Sequence, residues 1–346
     1  MSSPDLPSSI EDEAHLEEVL ARPSAADVAF ARELRGDVLV LGAGGKMGPS
    51  LARRIRRAVE AAGARARILA ASRFSEPGLA AALGKDGIEA IPCDLLEPDQ
   101  VARLPLAPNV LYLAGRKFGS SDRPDLTWAH NTIVPMDVAR RFAGARIVAF
   151  STGNVYPLVP PTKAGATEAD APDPVGEYAQ SCLGRERVFE YFSRERGTPC
   201  LLFRLFYAVD LRYGTIVDIA RHVLAGEPVD LRVGRVNAIW QGDANSYAFR
   251  ALALCASPAR PLVVTGPAVS VRDVARRFGE RFGVAARFTG EPGPLALLGD
   301  PAQCVAALGP PEVSLDRLVD WTADWVARGG RSLGKPTKFE RTDGRF

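Results

Sequence analysis

Seven residues, Gly42-Ala-Gly-Gly-Lys-Met-Gly48, carry chemistry that can be read at once. They follow the apolar run Asp37-Val-Leu-Val-Leu41 and precede a segment with Leu51, Ile55 and Val59 on one helical face. A glycine-rich turn between a strand and a helix suits a pyrophosphate. Gly42, Gly45 and Gly48 lie three apart, and their roles differ: positive φ, close approach of backbone to phosphate, close helix–strand packing. Gly44, Lys46 and Met47 complete the cradle, and the helix N-terminus adds N–H donors and partial positive charge. The competing reading is an ordinary βα turn that happens to be rich in glycine. The next strand ends Ala70-Ala-Ser-Arg73, without the carboxylate that meets the ribose 2′-hydroxyl in NAD sites. Ser72 and Arg73 could bind a 2′-phosphate instead, which favours NADP over NAD as cofactor. Arg73 could equally be a solvated loop arginine.

These residues need a scaffold, and the hydrophobic pattern supplies one. After the helix at 48–62 come strands at 67–71 and 90–93 around a helix at 77–84. Strands at 110–114, 146–150 and 199–204 follow, with helices at 125–143 and about 177–196 between them. Such alternation predicts an α/β fold: a Rossmann-type, doubly wound parallel sheet with ligands beyond the carboxyl ends of its strands. Residues 37–206 and 237–266 are assigned to this dinucleotide-binding domain, the second piece through a helix at 243–255 and a strand at 262–265. A smaller C-terminal α+β substrate domain takes residues 207–236 and 267–330. Two short helices broken at Pro23 predict an N-terminal helical extension over 1–36, and the polar tail 331–346 reads as an extended arm. Trp321 and Trp325, four apart, read as core.

Composition narrows the class. The chain has 346 residues, 47% of them hydrophobic and 24% charged, with a net charge of +2. That length buries a full core, and the charge balance calls for neither nucleic acid nor a membrane surface. Cys93, Cys182, Cys200, Cys255 and Cys304 are dispersed, which favours reduced thiols and a cytoplasmic location. His15, His130 and His222 lack metal-ligand spacing, so no metal is expected. No signal-peptide core opens the chain, and no apolar run reaches the roughly 18 residues of a membrane span.

Further segments fall in a telling order: Cys93-Asp94-Leu95, Leu113-Ala-Gly-Arg-Lys117, Asn131, Phe150-Ser-Thr-Gly-Asn-Val-Tyr156, Tyr178 and Arg204. With the glycine turn, and from Gly42 to about residue 330, the chain resembles the extended short-chain dehydrogenase/reductases, the NAD(P)-dependent epimerase/dehydratase family. The resemblance implies that Asp94 and Leu95 border the adenine, although Asp94 could also cap a helix. It places Leu113, Ala114, Gly115 and Lys117 along the cofactor, and Asn131 where an asparagine shapes the site from the next helix. Thr152 stands at the position of the family's substrate-orienting hydroxyl, and Tyr178 at that of the catalytic acid/base. Hydride transfer requires a proton to move on or off the attached oxygen, which suits a phenol and a hydroxyl.

One position departs from the pattern. The family's lysine, four residues after the tyrosine, would lower a phenol pKa that is ordinarily near ~10. Here that position is Cys182, on the same helix face. A helper cation could come from elsewhere, with Lys117 the first choice and Lys163 or Arg185 behind it. The chain could instead be a non-catalytic NADP-binding sensor or regulator. Catalysis by the Cys182 thiol ranks last, since a thiol on a helix face is usually packing.

The family's aromatic–asparagine pair after the sixth strand is replaced by Leu205-Phe206-Tyr207, and Ile239-Trp-Gln-Gly-Asp243 stands where nucleotide-sugar enzymes often carry an arginine. The substrate class is therefore set broadly, as a sugar, sugar acid or related polyhydroxylated carbonyl compound. Thr152, Asn154, Tyr178, Tyr207 and Arg212 are its expected contacts, the last as a grip for a carboxylate or phosphate. By the same resemblance a homodimer would form through the helices 125–143 and 177–196.

Overall fold

The computed structural model describes residues 6–117, 119–120, 122–335, 337–341 and 343–344. Seven parallel strands form the main sheet: β1 (Val38–Leu41), β2 (Ile68–Ser72), β3 (Glu89–Pro92), β4 (Asn109–Tyr112), β5 (Arg146–Thr152), β6 (Cys200–Leu205) and β7 (Arg260–Val264). Their spatial order is β7-β6-β5-β4-β1-β2-β3. The order reverses between β1 and β4, so a crevice opens at the carboxyl ends of those two strands.

The central strands read as unbroken apolar runs because both faces are covered. Val38 and Val40 pack with Ile55 and Val59 on one side. Leu39 and Leu41 pack with Tyr112, Val138 and Phe189 on the other. Alternation along the strand sends successive side chains to opposite layers. The doubly wound sheet expected from the sequence is the one observed.

The predicted helix 125–143 is not continuous. It comprises a short helix Pro124–Trp128, a π-helical turn Ala129–Ile133 and a helix Val134–Arg141. Pro135 explains the break, because it has no N–H to give the Asn131 carbonyl one turn back. The chain widens instead, with the Val134 N–H donating to Ala129, five residues earlier. Asn131, in this wide turn, is fully buried against the helix Gly176–Arg196.

The smaller unit has helices Thr215–Leu224, Val271–Phe282 and Leu315–Ala327 around one apolar core. Trp321 and Trp325 lie inside it, 1% and 3% exposed, and Trp321 meets Trp240 edge to face at 5.3 Å. Ala302–Leu308, expected in this unit, lies against β7 instead, where Cys304 is buried with Leu262 and Val264. The N-terminal helices Glu13–Leu20 and Ala25–Glu33 divide between the two cores. Leu16, Val19 and Leu20 join the smaller unit, whereas Ala31 joins the layer over the sheet. Asp27 fixes the second helix through a buried ion pair with Arg54 at 2.7 Å and a hydrogen bond from Ser246.

The tail does not run free. Thr337 donates through N–H and hydroxyl to Asp218 at 2.8 and 2.6 Å, Phe339 is buried in the smaller unit's core, and Gly344 lies against Val175 and Gly176. Among the described residues, no helix is long and apolar enough to cross a membrane.

Candidate active site

The glycine turn leaves β1 at the crevice and feeds the helix Gly48–Ala61. Gly42 has φ +81°, and a Cβ there would stand 2.7 Å from the Ala114 nitrogen after β4. A Cβ on Gly48 would meet the Ala43 backbone at 2.5–2.7 Å, so helix and turn touch without side chains. No side chain caps this helix at Met47. Its first N–H groups therefore remain available to a phosphate. Gly44 sits against the Ser72 hydroxyl, 2.7 Å from where its Cβ would be, which brings the end of β2 to the turn. Arg73 is 62% exposed at the side chain and lies 3.9 Å from the Asp94 carboxylate. Asp94 also accepts from the Leu96 N–H, and Leu95 is packed in the core. Glycines, an uncapped helix start and the Ser72–Arg73 corner together fit a dinucleotide.

The Lys46 side chain turns away from the phosphate cradle. Its ammonium donates to the Ala208 carbonyl at 3.0 Å and lies 4.3 Å from the Tyr213 ring centre. Burial pushes its pKa down to about 8. Lys46 thus belongs to the turn by its backbone and to the opposite wall by its charge.

β5 ends at Thr152, and the long helix Gly176–Arg196 brings Tyr178 to it. Thr152 and Cys182 stand beside the Tyr178 phenol and act on it in opposite senses, Thr152 favouring the phenolate and Cys182 opposing it. Thr152 accepts from the Asn154 N–H at 3.2 Å and from its side-chain amide at 2.9 Å, leaving its own hydrogen to donate. Burial, and next the Cys182 thiol, hold the Tyr178 pKa well above the usual phenol value; Arg185 and Thr152 act the other way. Tyr178, Thr152, Asn154, Tyr207, Lys117 and Lys46 line a cavity of about 190 Å³. Tyr207 enters it with φ +41°, a sparsely populated backbone region for a non-glycine residue.

Cys182 is fully buried, one turn beyond Tyr178, and Arg185 follows on the same side of the helix. Arg185 donates to the Phe150 carbonyl at 2.8 Å and to the Asn131 side chain at 2.5 Å. A Cβ on Gly115 would sit 2.3 Å from the Arg185 guanidinium, so that glycine makes room for the arginine. Asn131 also accepts from the Arg116 N–H and donates to Ser181, tying the loop after β4 to the helix. Lys117, at the end of that loop, lies 5.7 Å from the Tyr178 ring centre, and burial pushes its pKa down to about 8. Lys163 is exposed and lines no part of this cavity.

Arg212 is the expected substrate contact that lies elsewhere. It is ion-paired to Asp210 at 3.0 Å and Glu17 at 2.7 Å, and it faces a cleft beside Gly44 and Gly45. The N-terminal helix supplies the carboxylate that claims it. Sequence reasoning also missed the support beneath the site. Glu186 accepts from Arg204 at 2.6 Å and from Ser151 at 2.5 Å, while Arg204 donates to the Tyr156 hydroxyl at 2.6 Å. These buried groups lock β5, β6 and the helix together; Arg204 and Tyr156 fall in segments the sequence singled out, whereas Glu186, which joins them, does not. Among the described residues no cluster of metal-binding side chains occurs.

Residues 38–230 match the NAD dependent epimerase/dehydratase family, and the chain belongs to that family of enzymes. No curated protein sequence matches it. Among solved structures, it is similar to UDP-glucose 4-epimerase of Thermus thermophilus in complex with NAD, at 21% identity and TM-score 0.66, over 83% of this chain and 98% of that one. A UDP-glucuronic acid 4-epimerase mutant of Bacillus cereus, in complex with UDP-4-deoxy-4-fluoro-glucuronic acid and NAD, matches at 16% identity and TM-score 0.68, over 84% and 99%. An epimerase of Methanothermobacter thermautotrophicus matches at 18% identity and TM-score 0.70, over 88% and 96%. At these identities the likeness is one of fold.

Proposed function

We propose that this enzyme works by hydride transfer at a carbinol or carbonyl carbon of a sugar, sugar acid or related polyhydroxylated compound, as an oxidoreductase or epimerase. The observation that carries the reading is that Tyr178 and Thr152 line one cavity at the strand ends, together with Lys46 and Met47 of the glycine turn. The nicotinamide cofactor, when bound, would supply or accept the hydride. Gly42, Gly45 and Gly48 would hold its pyrophosphate, with Ala114 and Gly115 alongside. Tyr178 exchanges the proton with the substrate oxygen, and Thr152 directs its hydrogen at the same oxygen. Asn154 keeps Thr152 in that orientation, and Asn131 holds the loop that carries Lys117.

Two residues supply the positive charge of the absent lysine. Arg185 supplies buried positive charge that favours the phenolate, and Lys117 brings a second cation to the Tyr178 ring. Burial holds the Lys117 pKa at about 8, so Lys117 is charged below that pH and neutral above it. Its help to Tyr178 should fade as pH rises through about 8. A kcat profile is expected to show this falling limb; Lys117→Arg should move it upward and Lys117→Met should remove it with a lower plateau. An unchanged limb in Lys117→Met would assign it to another group.

NADP is the favoured cofactor, on the Ser72–Arg73 corner and the lack of a carboxylate at the end of β2. Arg73→Glu should raise KM for NADP by about tenfold to a hundredfold and leave that for NAD nearly unchanged, because only the 2′-phosphate meets the new charge. A wild-type KM lower for NAD than for NADP would refute the preference. The experiment on the function itself follows reduced-nicotinamide absorbance with either cofactor over a panel of sugars, sugar acids and nucleotide sugars. Cofactor binding with no turnover across that panel would favour a sensor. The same reading includes a homodimer through the helices that expose Trp128, Ile133 and Tyr191, testable by light scattering. The unpaired state of all five cysteines is compatible with a cytoplasmic location.

A further inference from the structure

Resting on the hydride-transfer reading, the structure points to a narrower substrate and to an unexpected part of the chain that selects it. The cavity at Tyr178 adjoins a second of about 60 Å³, and they share Lys117, Asn154, Tyr207 and Thr337. The second is walled by the tail, through Lys338, Phe339, Arg341 and Gly344. Small-molecule sites usually enclose about 300–1,000 Å³. The two cavities, of about 190 and 60 Å³, fall below that range and are on the scale of a monosaccharide.

The tail is held on both sides of the cleft. Thr337 and Phe339 anchor it to the smaller unit, and Gly344 meets the start of the helix that carries Tyr178. Lys338 adopts φ +53°, an unusual backbone for a lysine, where the segment lines the cavity.

The walls are also of one sign. Among the described residues, no aspartate or glutamate lines either cavity, whereas Lys46, Lys117, Lys338 and Arg341 do. Arg341 is neutralised locally by Asp343 at 2.5 Å, and Lys46 is influenced by Asp210 behind it. Lys117 and Lys338 repel each other across the smaller cavity, a repulsion that a bound anion would relieve.

We propose that the tail residues Thr337, Lys338, Phe339, Arg341 and Gly344 form a wall of the substrate site, and that the substrate is a monosaccharide-sized anion, carboxylate or phosphate, gripped between Lys117 and Lys338. The sugar's reacting carbon then lies toward Tyr178 and its charged end toward the tail.

The test is calorimetric binding to the cofactor-loaded full chain, with glucuronate, glucose 6-phosphate, glucose and UDP-glucuronate as probes, and turnover of each measured in parallel. At least one of the first two should bind tenfold or more tighter than glucose, and the pair shows whether carboxylate or phosphate is meant. UDP-glucuronate should bind weakly. Lys338→Glu should weaken the anion at least tenfold, with cofactor affinity and melting temperature unchanged. A chain ending at Lys335 should lose the preference for the anion over glucose. Tight UDP-glucuronate binding, equal affinity for glucose, or an indifferent Lys338→Glu would each overturn the proposal. Anion binding that depends on Lys338 but never turns over would sink the hydride-transfer reading and uphold this one. Turnover of neutral sugars with no anion preference would do the reverse.

Discussion

Replacing Cys182 by lysine is expected to destabilise the protein and to lower activity. The thiol is fully buried in an apolar cluster with Val155, Tyr156, Ala166, Phe206 and Val263, and the Asn131 amide is 3.9 Å from its sulfur. A lysine would add three heavy atoms to that space, an overpacking that costs about 1–3 kcal/mol. Its charge would arrive one turn from the buried Arg185, with Lys117 nearby and the Glu186 carboxylate already held by Arg204. An uncompensated buried charge is worth a further loss of about 3–5 kcal/mol. Urea unfolding of Cys182→Lys beside Cys182→Ala separates the two costs, since alanine carries neither the bulk nor the charge. A lysine variant as stable as the parent, and faster, would mean that Arg185 and Lys117 do not do the lysine's work.

Tyr178→Phe should cut kcat by about 10²–10⁴-fold, the usual worth of a positioned acid/base, and leave cofactor affinity within about twofold. In the proposed mechanism the phenol carries the proton and shares its cavity with Thr152, while the glycine turn that would hold the cofactor lies at β1. Burial and the Cys182 thiol keep the phenol protonated, so removing its hydroxyl takes away the proton that Thr152 helps to aim. Stopped-flow hydride transfer and fluorescence titration of the cofactor measure the two quantities. Retention of more than a tenth of the parental rate would remove Tyr178 from the chemistry.

The parts that were legible in the sequence are those whose chemistry is local. Gly42 to Gly48 announce themselves because strand, turn and helix are contiguous, and the alternation up to Arg204 sets the sheet in the same way. Tyr178 and Thr152 were readable through family resemblance, and the fold does bring them together. Arg185 was ranked low because its importance depends on Gly115 and Asn131, both more than fifty residues away. Arg212 misled partly for the same reason: besides Asp210, two residues away, one of the carboxylates that neutralise it belongs to Glu17, near the other end of the chain. The π-turn left a trace in Pro135, which an apolar-periodicity reading passes over. Nothing in the polar composition of the tail says where it docks, because that is decided by Asp218 and by the core that takes in Phe339, both built from residues far away in the chain.

The N-terminal extension has a consequence for how this molecule comes apart. Its first helix is packed into the smaller unit, its second lies on the sheet layer, and only Ala21 to Ser24 connect them. Melting either core withdraws one helix from the other's neighbour and strains that short link. The Asp27–Arg54 pair and the Glu17–Arg212 pair add polar ties at both ends of it. Two hydrophobic cores that could unfold one after the other are thereby coupled, and a single transition in urea, by circular dichroism and tryptophan fluorescence alike, is the expected result.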